Sequence, residues 1–263
     1  MKTIEELKNQ VLHGDCLELM KDIPDGSIDL VVTSPPYDNL RTYNGSLDWG
    51  EHVWKPVIQE LFRLIKEGGV VVWVVGDATI KGSETGTSFK QALYFKEIGF
   101  NLHDTMIWEK QNCIPLYPSV KRYESSFEYM FVLSKGQPKS WNPIKDREKT
   151  NSSKQREKYN TSYTNASGVV IHRNSGDTNS NFCKRRNVWL MPNGQIRGLN
   201  HPAPFPEKLA KDHILSWSNE GDTVLDPFAG SGTVGKVAQQ LNRNCILIEK
   251  EQEYVDIINK RLS

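Results

Sequence analysis

The chain has 263 residues and a formal net charge of +1 at pH 7, a length that can bury one substantial core and a smaller appendage. No apolar run approaches the roughly 20 residues of a membrane-spanning helix, and the first residues are charged rather than signal-like, so we expect neither membrane insertion nor secretion. The four cysteines stand far apart without a zinc-binding spacing, which predicts a reduced, cytoplasmic protein that holds no metal.

Short apolar runs alternate with helical patterns along the chain, which predicts an α/β fold with a mostly parallel sheet and helices on both faces. The predicted strands are residues 28–33, 70–75, 102–108, 127–133, 223–226 and 245–248. The predicted helices are residues 54–66, 89–98, 206–217, 233–241 and 252–261. A stretch rich in proline and asparagine, from residue 136 to about 195, interrupts this alternation and predicts a small inserted region.

The first informative motif is the loop Ser34-Pro35-Pro36-Tyr37, which ends the predicted strand at residues 28–33. Proline fixes φ and has no backbone N–H, so the proline pair stops the sheet and holds the preceding carbonyl groups in one orientation, suited to an amino group. The Tyr37 ring offers a flat face on which a base could stack, at roughly 1–3 kcal/mol per base. An ordinary Ser-Pro-Pro surface turn has the same sequence, so a second motif must decide.

The second motif is a glycine-rich turn after the predicted strand at residues 223–226, where glycines let the backbone bend tightly and approach a ligand. The third glycine of the dinucleotide fingerprint and the Lys-Ser/Thr pair of phosphate-binding loops are missing, which disfavours NAD and nucleoside triphosphates. The next strand ends at Glu249, where an acid commonly accepts hydrogen bonds from a ribose, although capping of the next helix is the simpler role. The turn reads Asp226-Pro227-Phe228-Ala229-Gly230-Ser231-Gly232-Thr233.

Together these two loops resemble those of the DNA amino-methyltransferases, which carry a Ser-Pro-Pro-Tyr type catalytic loop and an Asp-Pro-Phe-x-Gly-x-Gly-Thr loop that binds S-adenosylmethionine. The catalytic loop comes first and the cofactor loop last, an order that resembles the β group of this family. The resemblance implies a catalytic half at residues 1–135, a target-recognition region at residues 136–196 and a cofactor-binding half at residues 197–263.

Positive charge is concentrated in the middle of the chain. Residues 135–197 contain thirteen Lys and Arg against four Asp and Glu, whereas the whole chain has a net charge of only +1. Clustered cations suit phosphate binding, and we expect Lys184, Arg185 and Arg186, flanked by Phe182 and Trp189, to contact double-stranded DNA. For residues 145–178 a solvated linker is the alternative.

The resemblance also implies a set of residues around the cofactor. As bare sequence, Asp15 could simply be a helix N-cap, and the His-Pro run at residues 201–206 could be a rigid connector. The predicted catalytic residues are Ser34, Pro35, Pro36 and Tyr37. The predicted cofactor-binding residues are Asp15, Thr33, His201, Pro202, Phe205, Pro206, Asp226, Pro227, Phe228, Ala229, Gly230, Ser231, Gly232, Thr233 and Glu249.

The implied reaction is methyl transfer from S-adenosylmethionine to the exocyclic nitrogen of a base flipped out of DNA, without a metal or a covalent intermediate. In the family, serine before Pro-Pro-Tyr is associated mainly with cytosine N4, which is therefore the expected target. The alternatives are adenine N6, a non-catalytic protein that binds cofactor and DNA, and methylation of RNA or protein. The resemblance implies a prokaryotic or phage-encoded enzyme and leaves open whether a cognate restriction endonuclease or a homodimer is involved.

Overall fold

The computed structural model describes residues 2–37, 49–112, 115–117, 119–149, 162–164, 170–172, 181–192 and 206–263. The chain divides into two compact units, one of Met1–Asn142 with Asn187–Ser263 and one of Pro143–Arg186. The predicted cofactor residues His201, Pro202 and Phe205 lie outside the described residues.

The larger unit is built on an eight-stranded sheet. Its strands are β1 (Gln10–His13), β2 (Ile28–Thr33), β3 (Ile65–Val75), β6 (Asn101–Lys110), β7 (Phe127–Ser134), β12 (Val188–Met191), β13 (Thr223–Asp226) and β14 (Asn244–Glu249). Their order across the sheet is β1-β14-β13-β2-β3-β7-β6-β12. Only β7 runs antiparallel to its two neighbours, and the other pairs are parallel. The predicted mostly parallel α/β sheet is confirmed.

Helices cover both faces of this sheet. They are α1 (Ile4–Leu7), α2 (Cys16–Met20), α3 (Glu51–Leu64), α4 (Thr87–Ile98), α5 (Glu207–Trp217), α6 (Thr233–Gln240) and α7 (Gln252–Leu262). Strand β3 contributes side chains to both faces of the sheet, because successive side chains of a strand point to opposite sides. Val71 and Trp73 join a buried cluster with α3 and α4, whereas Val70 and Val72 join a second cluster with α5 and α6. The two clusters form the two layers of the core.

The structure corrects several details of the predicted elements. The helix predicted at residues 54–66 ends at Leu64, because β3 already begins at Ile65, where it pairs with Ile28 of β2. Lys66 then lies in the sheet, and its ammonium group contacts Asp29 at 2.7 Å. The short strands β1 and β12 were not predicted, since each pairs with a strand that is distant in the sequence.

The smaller unit, Pro143–Arg186, lies within residues 136–196, the predicted inserted region. Its described strands form two antiparallel pairs, in which β8 (Lys145–Glu148) pairs with β11 (Phe182–Lys184) and β9 (Ser162–Thr164) pairs with β10 (Val170–His172). A further antiparallel pair, β4 (Thr79–Ile80) with β5 (Ser83–Glu84), belongs to the larger unit. In the part of the chain that the structure describes, no helix is long and apolar enough to cross a membrane.

Candidate active site

The two sequence motifs meet at one edge of the sheet. Strands β2 and β13 are parallel neighbours, with Leu30 opposite Val224 and Val31 opposite Leu225. Because parallel strands end at the same edge of a sheet, the loop that begins at Ser34 and the turn that follows Asp226 lie side by side. The chain separates Thr33 from Asp226 by 193 residues, so the fold alone brings these motifs together.

A buried carboxylate links the two loops. The Thr33 hydroxyl donates to Asp226 Oδ1 at 2.7 Å, and the backbone N–H of Phe228 donates to the same oxygen at 3.1 Å. Asp226 is only 1% exposed, and this burial raises its pKa to about 7, although the two donors act in the opposite direction. The Asp226 side chain therefore holds the end of β2 and the start of the glycine turn in register.

The glycine turn has a backbone conformation that other residues rarely adopt. Gly230 has φ 51° and Gly232 has φ 77°, both in the left-handed region. A Cβ at Gly232 would lie 2.9 Å from Cγ2 of Ile258 on α7, so a side chain at this position would also meet the core. Thr233, directly after this glycine, is the first residue of α6 and is buried. The two glycines allow the chain to pass from β13 into α6 within a few residues.

Glu249, the last residue of β14, supports the same turn. Its Oε2 accepts the backbone N–H of Gly230 at 2.7 Å, and its Oε1 accepts that of Glu251 at 2.9 Å. Burial raises the pKa of Glu249, partly opposed by these backbone donors. The backbone carbonyl of Glu249 accepts the N–H of Gly14 at 2.9 Å, and Asp15 then caps α2 by accepting the N–H of Leu17 at 2.9 Å. The structure thus brings Asp15 to the end of β14, beside the glycine turn.

The remaining predicted cofactor residues that the structure describes surround this turn. Pro227 is buried, and the Ala229 N–H donates to the carbonyl of Ile248 at 3.0 Å. Phe228 packs edge-on against Trp49, with ring centroids 5.5 Å apart. Arg261 donates to the carbonyl of Ser231 at 2.5 Å and to the side chain of Glu207, the residue after the buried Pro206, at 3.0 Å.

The predicted catalytic loop, Ser34-Pro35-Pro36-Tyr37, belongs to a hydrogen-bonded chain of side chains. Ser34 Oγ lies 2.9 Å from Tyr37 Oη, and the Tyr37 hydroxyl donates to Glu128 Oε2 at 2.6 Å. The other oxygen of Glu128 contacts the Lys110 ammonium group at 2.6 Å. Sequence reasoning missed Lys110 and Glu128, because Glu128 is 91 residues from Tyr37 and neither residue belongs to a local motif.

A family model described as DNA methylase, for the N6/N4 methyltransferases, matches residues 28–260. The chain belongs to the N6/N4 DNA methylase family. Orphan methyltransferase M.BamHII of Bacillus amyloliquefaciens is 52% identical over 252 residues, covering 93% of this chain and 92% of that protein. The predicted resemblance to the DNA amino-methyltransferases is confirmed, and the protein is a DNA methyltransferase.

Solved structures share the fold of this methylase. The PvuII DNA methyltransferase (cytosine-N4-specific) matches with a TM-score of 0.72 and 24% identity, over 97% of this chain and 86% of that chain. The M1.HpyAVI-SAM complex matches with a TM-score of 0.63 and 22% identity, over 97% of this chain and 99% of that chain. These similarities confirm the predicted methyltransferase fold.

The predicted DNA-contacting residues of the methylase lie at the end of β11, in the smaller unit. Lys184 and Arg186 are exposed. Arg185 forms an ion pair with Asp146, and only 17% of its side chain is exposed. Its backbone N–H also donates to the carbonyl of Ile144 at 2.8 Å, so Arg185 helps to hold its own unit together. Across the described ranges, no group of three or more His, Cys, Asp or Glu side chains is placed to hold a metal ion.

Proposed function

We propose that this methylase transfers a methyl group from S-adenosylmethionine to the exocyclic N4 amine of a cytosine flipped out of double-stranded DNA. The observation that carries the proposal is the pairing of β2 with β13, which sets the Ser34-Pro35-Pro36-Tyr37 loop beside the glycine turn. The first loop suits an amino group next to a planar ring, and the second suits a cofactor. Holding two reactants in alignment can by itself account for a large part of a rate enhancement.

The residues around the glycine turn fit S-adenosylmethionine, which supplies an electrophilic methyl group when bound. Glu249 retains carboxylate lone pairs beyond its two backbone bonds, and these suit the hydroxyl groups of a ribose. Asp15 offers an acceptor for the amino group of an adenine. The name of the M1.HpyAVI-SAM complex, a protein of the same fold, supports this choice of cofactor. Asp226 and Thr33 would act by holding the turn in place, since the Asp226 side chain is buried and accepts its hydrogen bonds from the protein itself.

The catalytic loop has the acceptors that an exocyclic amine requires. The lone pair of such an amine is delocalised into its ring, so the amine is a weak nucleophile. Hydrogen bonds from its two protons to Ser34 Oγ and to the carbonyl oxygen of Pro35 favour a tetrahedral nitrogen with its lone pair directed at the methyl carbon. The Tyr37 ring stacks on the extruded base, and contacts of this kind offset the few kcal/mol that base flipping costs.

Two observations support cytosine as the target. The loop begins with serine, whose neutral hydroxyl takes the place of the carboxylate that is associated with adenine methylation in this family. The PvuII enzyme, which has the same fold at a TM-score of 0.72, is named as cytosine-N4-specific.

We also propose that residues 136–196, which include the unit Pro143–Arg186, recognise the DNA sequence. The concentration of Lys and Arg in residues 135–197 supports phosphate contacts, which position a protein on a duplex but do not read its sequence. Residues 1–135 and 197–263 then supply the catalytic and cofactor-binding halves.

A product analysis tests the proposal. Purified protein is incubated with labelled S-adenosylmethionine and unmethylated bacterial DNA, and the DNA is then digested to nucleosides and examined by mass spectrometry. We expect N4-methylcytosine. N6-methyladenine would retain the mechanism and overturn the choice of base, whereas cofactor binding without any labelled nucleoside would indicate a non-catalytic DNA-binding protein.

A single substitution tests the role of Ser34 separately from cofactor binding. Ser34→Ala removes one amine acceptor and leaves the glycine turn intact, so we expect normal cofactor affinity by calorimetry together with loss of product. Full activity of Ser34→Ala would overturn the role of the Ser34 hydroxyl.

A further inference from the structure

We propose that Glu128, held by Lys110, is a positioning residue that acts through Tyr37 to set the direction of the hydrogen bond made by Ser34. This inference rests on the proposed methyl transfer and adds two residues that lie outside both sequence motifs. It is carried by the hydrogen-bonded chain from Lys110 through Glu128 and Tyr37 to Ser34.

The antiparallel strand β7 explains how Glu128 reaches the catalytic edge. Because β7 runs against β3 and β6, its first residues lie where those parallel strands end. Glu128 is the second residue of β7, and Lys110 is the last residue of β6. Gly76 follows β3, and a Cβ built there would lie 3.5 Å from Cγ of Glu128 and 3.7 Å from the Tyr37 ring. The Glu128 and Tyr37 side chains therefore meet beside a residue that has no side chain.

The proton positions in this chain follow from chemistry. An ammonium group only donates, and an ionised carboxylate only accepts. Lys110 therefore donates to one oxygen of Glu128, and the Tyr37 hydroxyl donates its single proton to the other oxygen. The Tyr37 oxygen is then an acceptor toward Ser34, so the Ser34 hydroxyl must donate to it across 2.9 Å. With its proton committed in this way, Ser34 Oγ can only accept from the target amine.

The same chain offers an exit for a proton. After methyl transfer the amine nitrogen carries an additional positive charge and must lose one N–H proton. That proton passes to Ser34 Oγ, the Ser34 proton passes to Tyr37 Oη, and the Tyr37 proton passes to Glu128, which becomes a neutral carboxylic acid. Each hydroxyl gains one proton and loses one, so only the amine and Glu128 change charge. Glu128 is 8% exposed, and its second oxygen lies 2.6 Å from the Lys110 ammonium group.

Glu128→Gln is a specific test because Lys110 decides how the amide is oriented. The ammonium group of Lys110 requires an acceptor, so the amide oxygen faces Lys110 and the amide NH2 faces Tyr37. Tyr37 then accepts from the amide and donates to Ser34, whose own proton is directed at the amine. We expect turnover to fall about 10- to 100-fold, the range associated with a hydrogen bond to a charged group, while cofactor affinity and KM for DNA stay close to those of wild type.

A double-mutant cycle separates this role from a structural one. In a Tyr37→Phe background the link to Ser34 is absent, so Glu128→Gln should cause no further loss of turnover. Replacing Lys110 with methionine in the Glu128→Gln variant lets the amide rotate, and we expect part of the turnover to return. Tyr94→Phe is the matched control, because the Tyr94 hydroxyl accepts from Gln59 on α3 at 2.9 Å and is not a member of the chain from Lys110 to Ser34.

The experiment measures kcat and KM with labelled S-adenosylmethionine, with thermal unfolding recorded for each variant. Additive losses of turnover in the double-mutant cycle would overturn the role of Glu128, and so would a wild-type kcat in the Glu128→Gln variant. Neither result would affect the proposed function, provided that the wild-type protein methylates DNA. If Glu128→Gln does not fold, Lys110→Met alone still tests the chain, since turnover that falls less than twofold would contradict an orienting role for the ion pair. Absence of any product from the wild-type protein would overturn the proposed function and this inference together.

Discussion

Replacing Asp226 with asparagine should make the free energy of unfolding less dependent on pH. Burial raises the pKa of Asp226 from 3.8 to about 7 in the folded protein. A carboxyl group whose pKa is higher in the folded than in the unfolded protein stabilises the folded state when it is protonated. The stability contributed by Asp226 is therefore fully present below about pH 4 and is lost as the pH rises toward 7. Asparagine has no such titration and keeps an oxygen that can accept from Thr33 and Phe228.

The magnitude follows from the size of the shift. One pKa unit corresponds to about 1.4 kcal/mol, so a rise of roughly three units corresponds to about 4 kcal/mol at full titration. The side chain is 1% exposed, so solvent screens this effect little. The difference in the free energy of unfolding between the Asp226→Asn variant and wild type should therefore shift in favour of the variant by up to about 4 kcal/mol from pH 4 to pH 8.

Urea unfolding of both proteins at several pH values between 4 and 8, without cofactor, measures this difference. The raised pKa of Glu249 also affects the pH profile, but Glu249 is present in both proteins and largely cancels in the comparison. Asp256→Asn is the matched control, since this carboxylate lies exposed on α7, and its profile should follow wild type. Parallel profiles for wild type and Asp226→Asn would refute the reasoning.

Three further substitutions test other parts of the site. Tyr37→Ala should lower turnover because a stacking face is lost, while calorimetry shows unchanged cofactor affinity; weaker cofactor binding would contradict the assignment. Replacing Lys184 and Arg186 with glutamine should reduce the magnitude of the slope of log DNA affinity against log salt concentration by about 2. An unchanged slope would show that neither residue contacts a phosphate. Gly232→Ala should destabilise the protein by about 1–3 kcal/mol in urea unfolding, because φ is 77° and a Cβ would meet α7 at 2.9 Å. Gly221→Ala, with φ 84° and open space, should cost less; equal losses would exclude the steric contact.

The bounds of β2 and β13 could be predicted because each strand is a short apolar run followed at once by residues that break a sheet. The prolines after Ser34 end one strand, and Pro227 with the glycines after it ends the other. Strand β1 escaped prediction because Val11 and Leu12 are its only apolar residues and its partner β14 is distant in the sequence, with Gln10 opposite Ile246. Nothing in its own sequence indicates that partner.

The same limit applies to the candidate active site: contacts between distant parts of the chain could not be predicted from local sequence. The loop at Ser34 and the turn at Asp226 were recognisable from local residues, because each motif lies within about ten positions. The contact between Tyr37 and Glu128 depends on β7 running antiparallel, and Glu128 in the sequence is one acid within an ordinary strand. Local patterns identified the loops, and the tertiary arrangement was needed to find Glu128, which accepts a hydrogen bond from one of them.

The pairing of β2 with β13 also determines when a newly made chain can acquire its active site. At a translation rate of about 5–20 residues per second, the 193 residues between Thr33 and Asp226 take roughly 10 to 40 s to synthesise. During that interval the apolar edge of β2 lacks its neighbour and is a surface that a chaperone can protect. The unit Pro143–Arg186 emerges from the ribosome before β13 does. The nascent protein therefore completes the segment proposed to choose the DNA site before it can assemble the loops proposed to modify it.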